Sequence, residues 1–215
     1  MQQLQLLYLE IRQSGWTAVI APLLVVLPFG IFLVLYLLAD RELLGIAFFL
    51  LDGLLIALPL VGAALWGHLF MGNIFERSRH SFLASNAHYV SKAFVRSSMP
   101  LLFASFLSAS VTALFAVEYM REIAFLAFRA GSLIVVCIAV ISLCSYLFEG
   151  AYIGVAAAMV FMLLSSGAYT GLSLLPVWLT PRGGEASLGY SRLMFAVAAI
   201  LLLTLLTCEK FVKRG

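Results

Sequence analysis

Few side chains of this 215-residue chain are equipped for chemistry, and most of those are set in apolar surroundings. Asp52 interrupts the run LLGIAFFLLDGLLIALPLVG, about nine residues along a predicted membrane span. An ionised carboxylate at that depth costs several kcal/mol unless it faces a cavity or a partner, so Asp52 is a candidate pathway or interface residue. The alternative is a helix that begins after Gly53 and leaves Asp52 among the headgroups. Glu149 punctuates FEGAY, a tight turn between two predicted spans, where it marks a helix end or contacts whatever docks against that face. Cys137 and Cys144 share one helix face but stand two turns apart, too far for a disulfide, and with Cys208 they read as small apolar residues. His68, His80 and His88 show no H-x-x-x-H or His/Cys spacing, so no metal ligand set is expected.

Catalysis by the chain itself is also not expected. A phosphate-cradling loop of the form G-x-x-x-x-G-K-[ST] is missing, because no lysine follows a glycine. SSGAY, from Ser165 to Tyr169, resembles the serine turn of an intramembrane protease, yet G-x-S-G is absent and the following helix carries no histidine. No bound cofactor and no nucleic-acid partner are expected.

The elements that carry these residues are set by composition. With 64% hydrophobic and 11% charged residues and a mean hydropathy of +1.10, only lipid can solvate the apolar surface, and the lipid bilayer is the first partner. The predicted fold is an all-α integral membrane protein, one domain over residues 1–215. A helix crossing the hydrocarbon needs about 20 apolar residues, and six segments qualify: 17–39, 43–71, 98–117, 123–148, 151–168 and 193–208. The second is long and interrupted, and the fourth starts somewhere between Ile123 and Gly131. The start MQQLQLLYLEIRQSGW lacks the features of a cleaved signal, so the first span is expected to remain in the mature protein.

Lys and Arg residues set the predicted orientation. With the N-terminus inside, Arg12, Arg77, Arg79, Lys92, Arg96, Lys210, Lys213 and Arg214 are cytoplasmic, eight of 13, and Arg41, Arg121, Arg129, Arg182 and Arg192 are outside. Both termini are then cytoplasmic.

Two stretches are neither plain spans nor plain loops. Between Gly72 and Pro100, Glu76, Arg77 and Arg79 precede Ser81-Phe82-Leu83, which places an apolar knob between charges, the pattern of a short helix lying in the membrane plane. An ordinary positive-inside loop would account for the charges but not for the knob. Beyond the fifth span, LLSSGAYTGLSLLPVWLTPRGGEASLGYSRL is greasy yet broken by glycine and proline. It reads as re-entrant, with Ser166, Gly167 and Pro176 as possible pathway or interface residues, since broken backbone at membrane depth survives only inside protein or along a cavity.

The order of these features resembles the membrane (permease) subunits of type-2 ATP-binding-cassette exporters. The N-terminal amphipathic stretch LQLLYLEIRQSGW, six spans, the Glu76-Arg77 segment after span two and the Ser-Gly/Leu-Pro piece before span six all follow that order. Within the segment, Glu76-Arg77 matches the family's opening, Ser81 to Leu83 its middle and Lys92 its exit, whereas the family's proline is replaced by Ala84-Ser85-Asn86-Ala87. The resemblance implies an interfacial N-terminal helix, a coupling helix between spans two and three, and half of a translocation pathway for an apolar or amphipathic cargo such as a peptide, lipid, drug or haem-like molecule. It further implies a second six-span permease and a cytoplasmic ATPase that binds ATP and Mg, in the plasma (inner) membrane of a prokaryote. In compactness the chain is also similar to the B subunit of the bacterial haem exporter of cytochrome c maturation. The rival readings are a secondary transporter or channel, and a non-transporting scaffold subunit of a membrane complex.

Overall fold

A computed structural model describes residues 16–38, 41–75, 89–165 and 185–212. These residues form α1 (Thr17–Leu38), α2 (Arg41–Phe75), α3 (Tyr89–Phe115), a 3₁₀ turn (Val117–Tyr119), α4 (Met120–Leu147), α5 (Ala151–Ser165) and α6 (Glu185–Val212), with no strand among them. Four helical stretches are long and apolar enough to cross a membrane: Ala18–Leu38, Tyr89–Phe115, Val117–Leu147 and Ser191–Lys210. The apolar stretches Ala57–Gly72 and Ala151–Val160 are shorter.

The helices contain proline at Pro22 and Pro28 in α1, Pro59 in α2 and Pro100 in α3. Each proline removes one amide from the ladder, a loss that apolar surroundings tolerate where nearby hydroxyls or neighbouring helices rearrange around the freed carbonyl. One turn before Pro100, Ser97 Oγ donates to the Phe94 carbonyl at 3.0 Å and Ser98 Oγ to that of Val95 at 3.3 Å. Exposed hydroxyls are satisfied in the same local way. Ser110 donates to Phe106 O at 2.8 Å, Thr204 to Ile200 O at 2.9 Å and Thr207 to Thr204 O at 2.7 Å. A surface that uses up its own polar hydrogens suits hydrocarbon better than water.

The helix α4 is the hub, packing against α2, α3, α5 and α6, while α1 packs on α2 and α3. In its apolar window 72% of residues are buried, against 33%, 28% and 22% for the other three long stretches, so of these four α4 is the one surrounded by protein. The main core joins Trp66, Phe70, Met71 and Ile74 of α2 to Val90 and Leu101 of α3, Ile134, Ile138 and Ile141 of α4, and Met194 and Leu205 of α6. A second cluster of Phe29, Phe32, Ala109, Ile123 and Ala127 closes the end that carries the 3₁₀ turn. There the rings of Phe32, Tyr36 and Tyr119 lie 6.0–6.3 Å apart, with Tyr119 edge-on to the other two, the arrangement favoured by ring quadrupoles.

Small residues permit the closest approaches. A Cβ on Gly62 would stand 2.7 Å from the Ala21 carbonyl of α1, and one on Gly67 would stand 2.8 Å from Ile141 Cδ1 of α4. Helices in lipid gain little from burying apolar surface alone, so close van der Waals packing at such positions carries much of their association.

Several expected boundaries change. The helix α2 runs unbroken through Gly53 and Pro59, so it is not interrupted and does not begin after Gly53. The third helix starts at Tyr89 rather than near Ser98, which places Lys92 and Arg96 inside it. The fourth starts at Met120, earlier than the predicted range, and the sixth extends from Glu185 to Val212. The tail of the proposed re-entrant piece, residues 185–193, is therefore part of α6. Hydropathy marks where apolar residues begin, whereas a helix continues through polar residues as long as its backbone bonds are met.

Candidate functional site

The residues expected to take a partner, Glu76, Arg77, Arg79, Ser81, Phe82 and Leu83, lie outside the described residues, as do Ser166, Gly167, Pro176 and the N-terminal stretch. The two helix ends that flank 76–88 are both packed into the core. On the α2 side, Met71, Ile74 and Phe75 are buried; on the α3 side, Val90, Ser91, Ala93 and Phe94 are buried. Met71, Ile74, Phe75, Val90, Ala93 and Phe94 belong to one core cluster, so the segment leaves and rejoins the same packed body. Lys92 is exposed on the first turn of α3. The Arg96 guanidinium lies 5.7 Å from the centre of the Tyr89 ring, a cation–π distance.

The start of α3 is capped from a distant part of the chain. The first amides of a helix have no partner within it, and here Glu209 of α6 supplies the acceptor. Its Oε1 accepts from Val90 N at 2.8 Å and Ser91 N at 3.3 Å, and its Oε2 accepts a short bond from Ser91 Oγ. The carboxylate is 7% exposed. Nothing in the sequence pairs Glu209 with the start of α3. The available signal was an acid directly behind the apolar run LLLTLLTC, where a charge close to lipid needs a reason.

The structure also encloses a second ionisable group, one that the sequence reading counted on the outer side. Arg129 lies well inside α4 and is 3% exposed. The expected span start, left between Ile123 and Gly131, is decided: α4 begins at Met120, so Arg129 lies within it, covered by the surrounding helices. Asp52 lies within the continuous α2.

Glu149 is exposed at the junction of α4 and α5. Its φ of 52° is left-handed, and Gly150 N donates to Ser145 O at 3.2 Å, the closing bond of a Schellman helix end. Glu149 thus marks the end of α4. A left-handed residue with a Cβ is strained, so Glu149→Gly is expected to stabilise the fold by about 0.5–1 kcal/mol, the strain relief exceeding the entropy glycine adds to the unfolded chain. A melting temperature in detergent raised by roughly 1–4 °C would show it; a fall would show that the Glu149 side chain holds the turn.

His68 of α2 stacks obliquely on Tyr152 of α5, with centroids 4.7 Å apart. Cys137 is buried, and Cys144 and Cys208 are half-buried, all as free thiols. No group of three His, Cys, Asp or Glu side chains suited to a metal occurs among the described residues. A cleft of about 430 Å³ lies between the end of α3 and the start of α4, lined by Phe106, Ala109, Leu114, Met120, Ile123 and Phe128 among others. Its lining carries no titratable side chain. No protein-family model, no curated protein and no solved structure matches the chain.

Proposed function

We propose that the chain is the membrane-spanning subunit of an ATP-driven exporter of the type-2 ATP-binding-cassette kind. In this reading α1 to α6 are six spans with both termini cytoplasmic, in the plasma membrane of a prokaryote. A second six-span permease completes the pathway, and a separate cytoplasmic ATPase binds ATP and Mg and seats on residues 76–88. ATP-driven closure of the paired ATPases then swings the helices and moves an apolar or amphipathic cargo outward.

The observation that carries the reading is the packing of the two helix ends on either side of 76–88. Both flanking helix ends are locked into the core shared with α4 and α6. A load applied to a segment held at both ends passes into packed helices, because close-packed interiors transmit displacement. The charged flanks and the Phe82-Leu83 knob suit a protein partner at the membrane surface.

Replacing Phe82 and Leu83 together by Asp is expected to abolish co-purification of the ATPase from native membranes while the subunit still inserts. Retained co-purification at wild-type level would overturn the docking reading.

The second reading, a secondary transporter or channel, gains from Arg129, since intramembrane ionisable residues mark ion and substrate pathways. Activity that persists in reconstituted vesicles depleted of ATP would favour it over the exporter.

A further inference from the structure

We infer that Glu209 is a positioning residue that fastens the end of α6 to the start of α3, so that the two ends move as one unit. The inference rests on the proposed seating of an ATPase on residues 76–88, and it adds the route by which load on that segment reaches the C-terminal helix.

Three observations support it. First, Glu209 gives both carboxylate oxygens to the start of α3, bonding the Val90 and Ser91 amides and the Ser91 hydroxyl across 118–119 residues of sequence. Local side chains usually cap helix starts, so this cap costs a long loop closure that a residue near Tyr89 would avoid.

Second, a carboxylate in the last turn of α6 is unfavourable for α6 itself, because the C-terminal end of a helix carries partial negative charge. At the start of α3 the same charge meets the positive end of another dipole. Glu209 is thus misplaced for its own helix and well placed for its neighbour.

Third, α3 and α6 touch only slightly, each packing far more extensively on α4. Without Glu209 the two ends would be held independently by α4. With it, the start of α3, and hence the chain arriving from residue 88, is tied directly to α6.

Hydrogen exchange of the full chain in lipid nanodiscs tests the link. Glu209→Ala is expected to accelerate exchange at least tenfold both at residues 89–95 and at residues 203–210, with residues 130–142 of α4 unchanged. Unchanged rates at both ends would overturn the inference, as would loosening of α3 alone, which would make Glu209 a one-sided cap. If Glu209→Ala does not fold, Glu209→Gln carries the test, since its amide keeps one acceptor oxygen. A smaller acceleration, about threefold, is then expected at both ends, and acceleration at one end only overturns the link.

The ATPase reading is judged separately. Glu209→Ala leaves Phe82 and Leu83 in place and should retain the ATPase, whereas the Phe82/Leu83 double variant should lose it with normal exchange at both helix ends. Loss of the paired exchange change with docking intact rejects the link alone; retained ATPase in the Phe82/Leu83 variant rejects the docking alone.

Discussion

Gly154→Leu is expected to lower the melting temperature of the detergent-solubilised chain by roughly 6–12 °C, the shift that about 3 kcal/mol produces in a chain of this size. A Cβ at position 154 would collide with Ser145 Oγ and stand 2.5 Å from the Ile141 carbonyl oxygen of α4. A serine hydroxyl can rotate away, but a backbone carbonyl inside a helix cannot. The α4–α5 contact must therefore open along its length, and α5 has little other support in the described residues because its remaining packing is against α2. Gly30→Leu is the matched control. It lies in α1 with nothing within 4 Å of its would-be Cβ, so its melting temperature should stay within about 2 °C of wild type. Equal losses at the two positions would show that glycine flexibility, rather than close approach, decides the effect.

Ile141→Ala is the second large effect, expected at about 2–3 kcal/mol. Ile141 is fully buried; its side chain covers Gly67 of α2, while its backbone carbonyl faces Gly154 of α5. In a water-soluble protein such a truncation costs about 2–5 kcal/mol, of which one part is transfer from water and the other the cavity left behind. In a bilayer the alternative surroundings of the side chain are already apolar, so the transfer part shrinks and the cavity part remains. The lower half of the range follows. The void opens beside Gly67, whose would-be Cβ stands 2.8 and 3.3 Å from Ile141 Cδ1 and Cγ2. Gly67→Ala in the Ile141→Ala background should restore part of the loss, giving a coupling of about 0.5–1 kcal/mol in a double-mutant cycle. Strict additivity of the two changes would mean that the helices collapse to fill the void without help.

Much of the helix layout was legible. The first predicted span, 17–39, differs from α1 by one residue, and the fourth predicted end, near Phe148, lies one residue beyond Leu147. Both are bounded by abrupt changes: a charged triplet after α1 and the FEGAY turn after α4. The third helix was placed about nine residues late because its first turns contain Ser91, Lys92, Arg96, Ser97 and Ser98, which lower hydropathy without lowering helicity. Their serine hydroxyls bond to other groups in the fold, Glu209 in the case of Ser91 and backbone carbonyls in the case of Ser97 and Ser98.

Of the candidate residues, Glu149 as a helix end was readable from its neighbours, because a turn of this kind is local. The burial of Arg129 was not. An arginine two turns into an apolar helix reads equally well as a late loop charge until the helices around it are known. Glu209 was hidden for a related reason: its partners, Val90 and Ser91, are more than a hundred residues away.

What the sequence by itself determined is the solvent and the secondary structure. Long apolar runs with few charges exclude water as the surroundings, and hydrocarbon in turn requires helices or closed barrels so that backbone groups are satisfied. Only the tertiary structure decided which helix stands at the centre and which charged groups are enclosed. In lipid the outward face of a helix is as apolar as the inward one, so the periodic contrast that marks a buried face in water is lost. The central place of α4, the enclosure of Arg129 and the bond from Glu209 to the start of α3 all depend on which helices meet, and that is set by glycines and distant polar partners rather than by the apolar runs themselves.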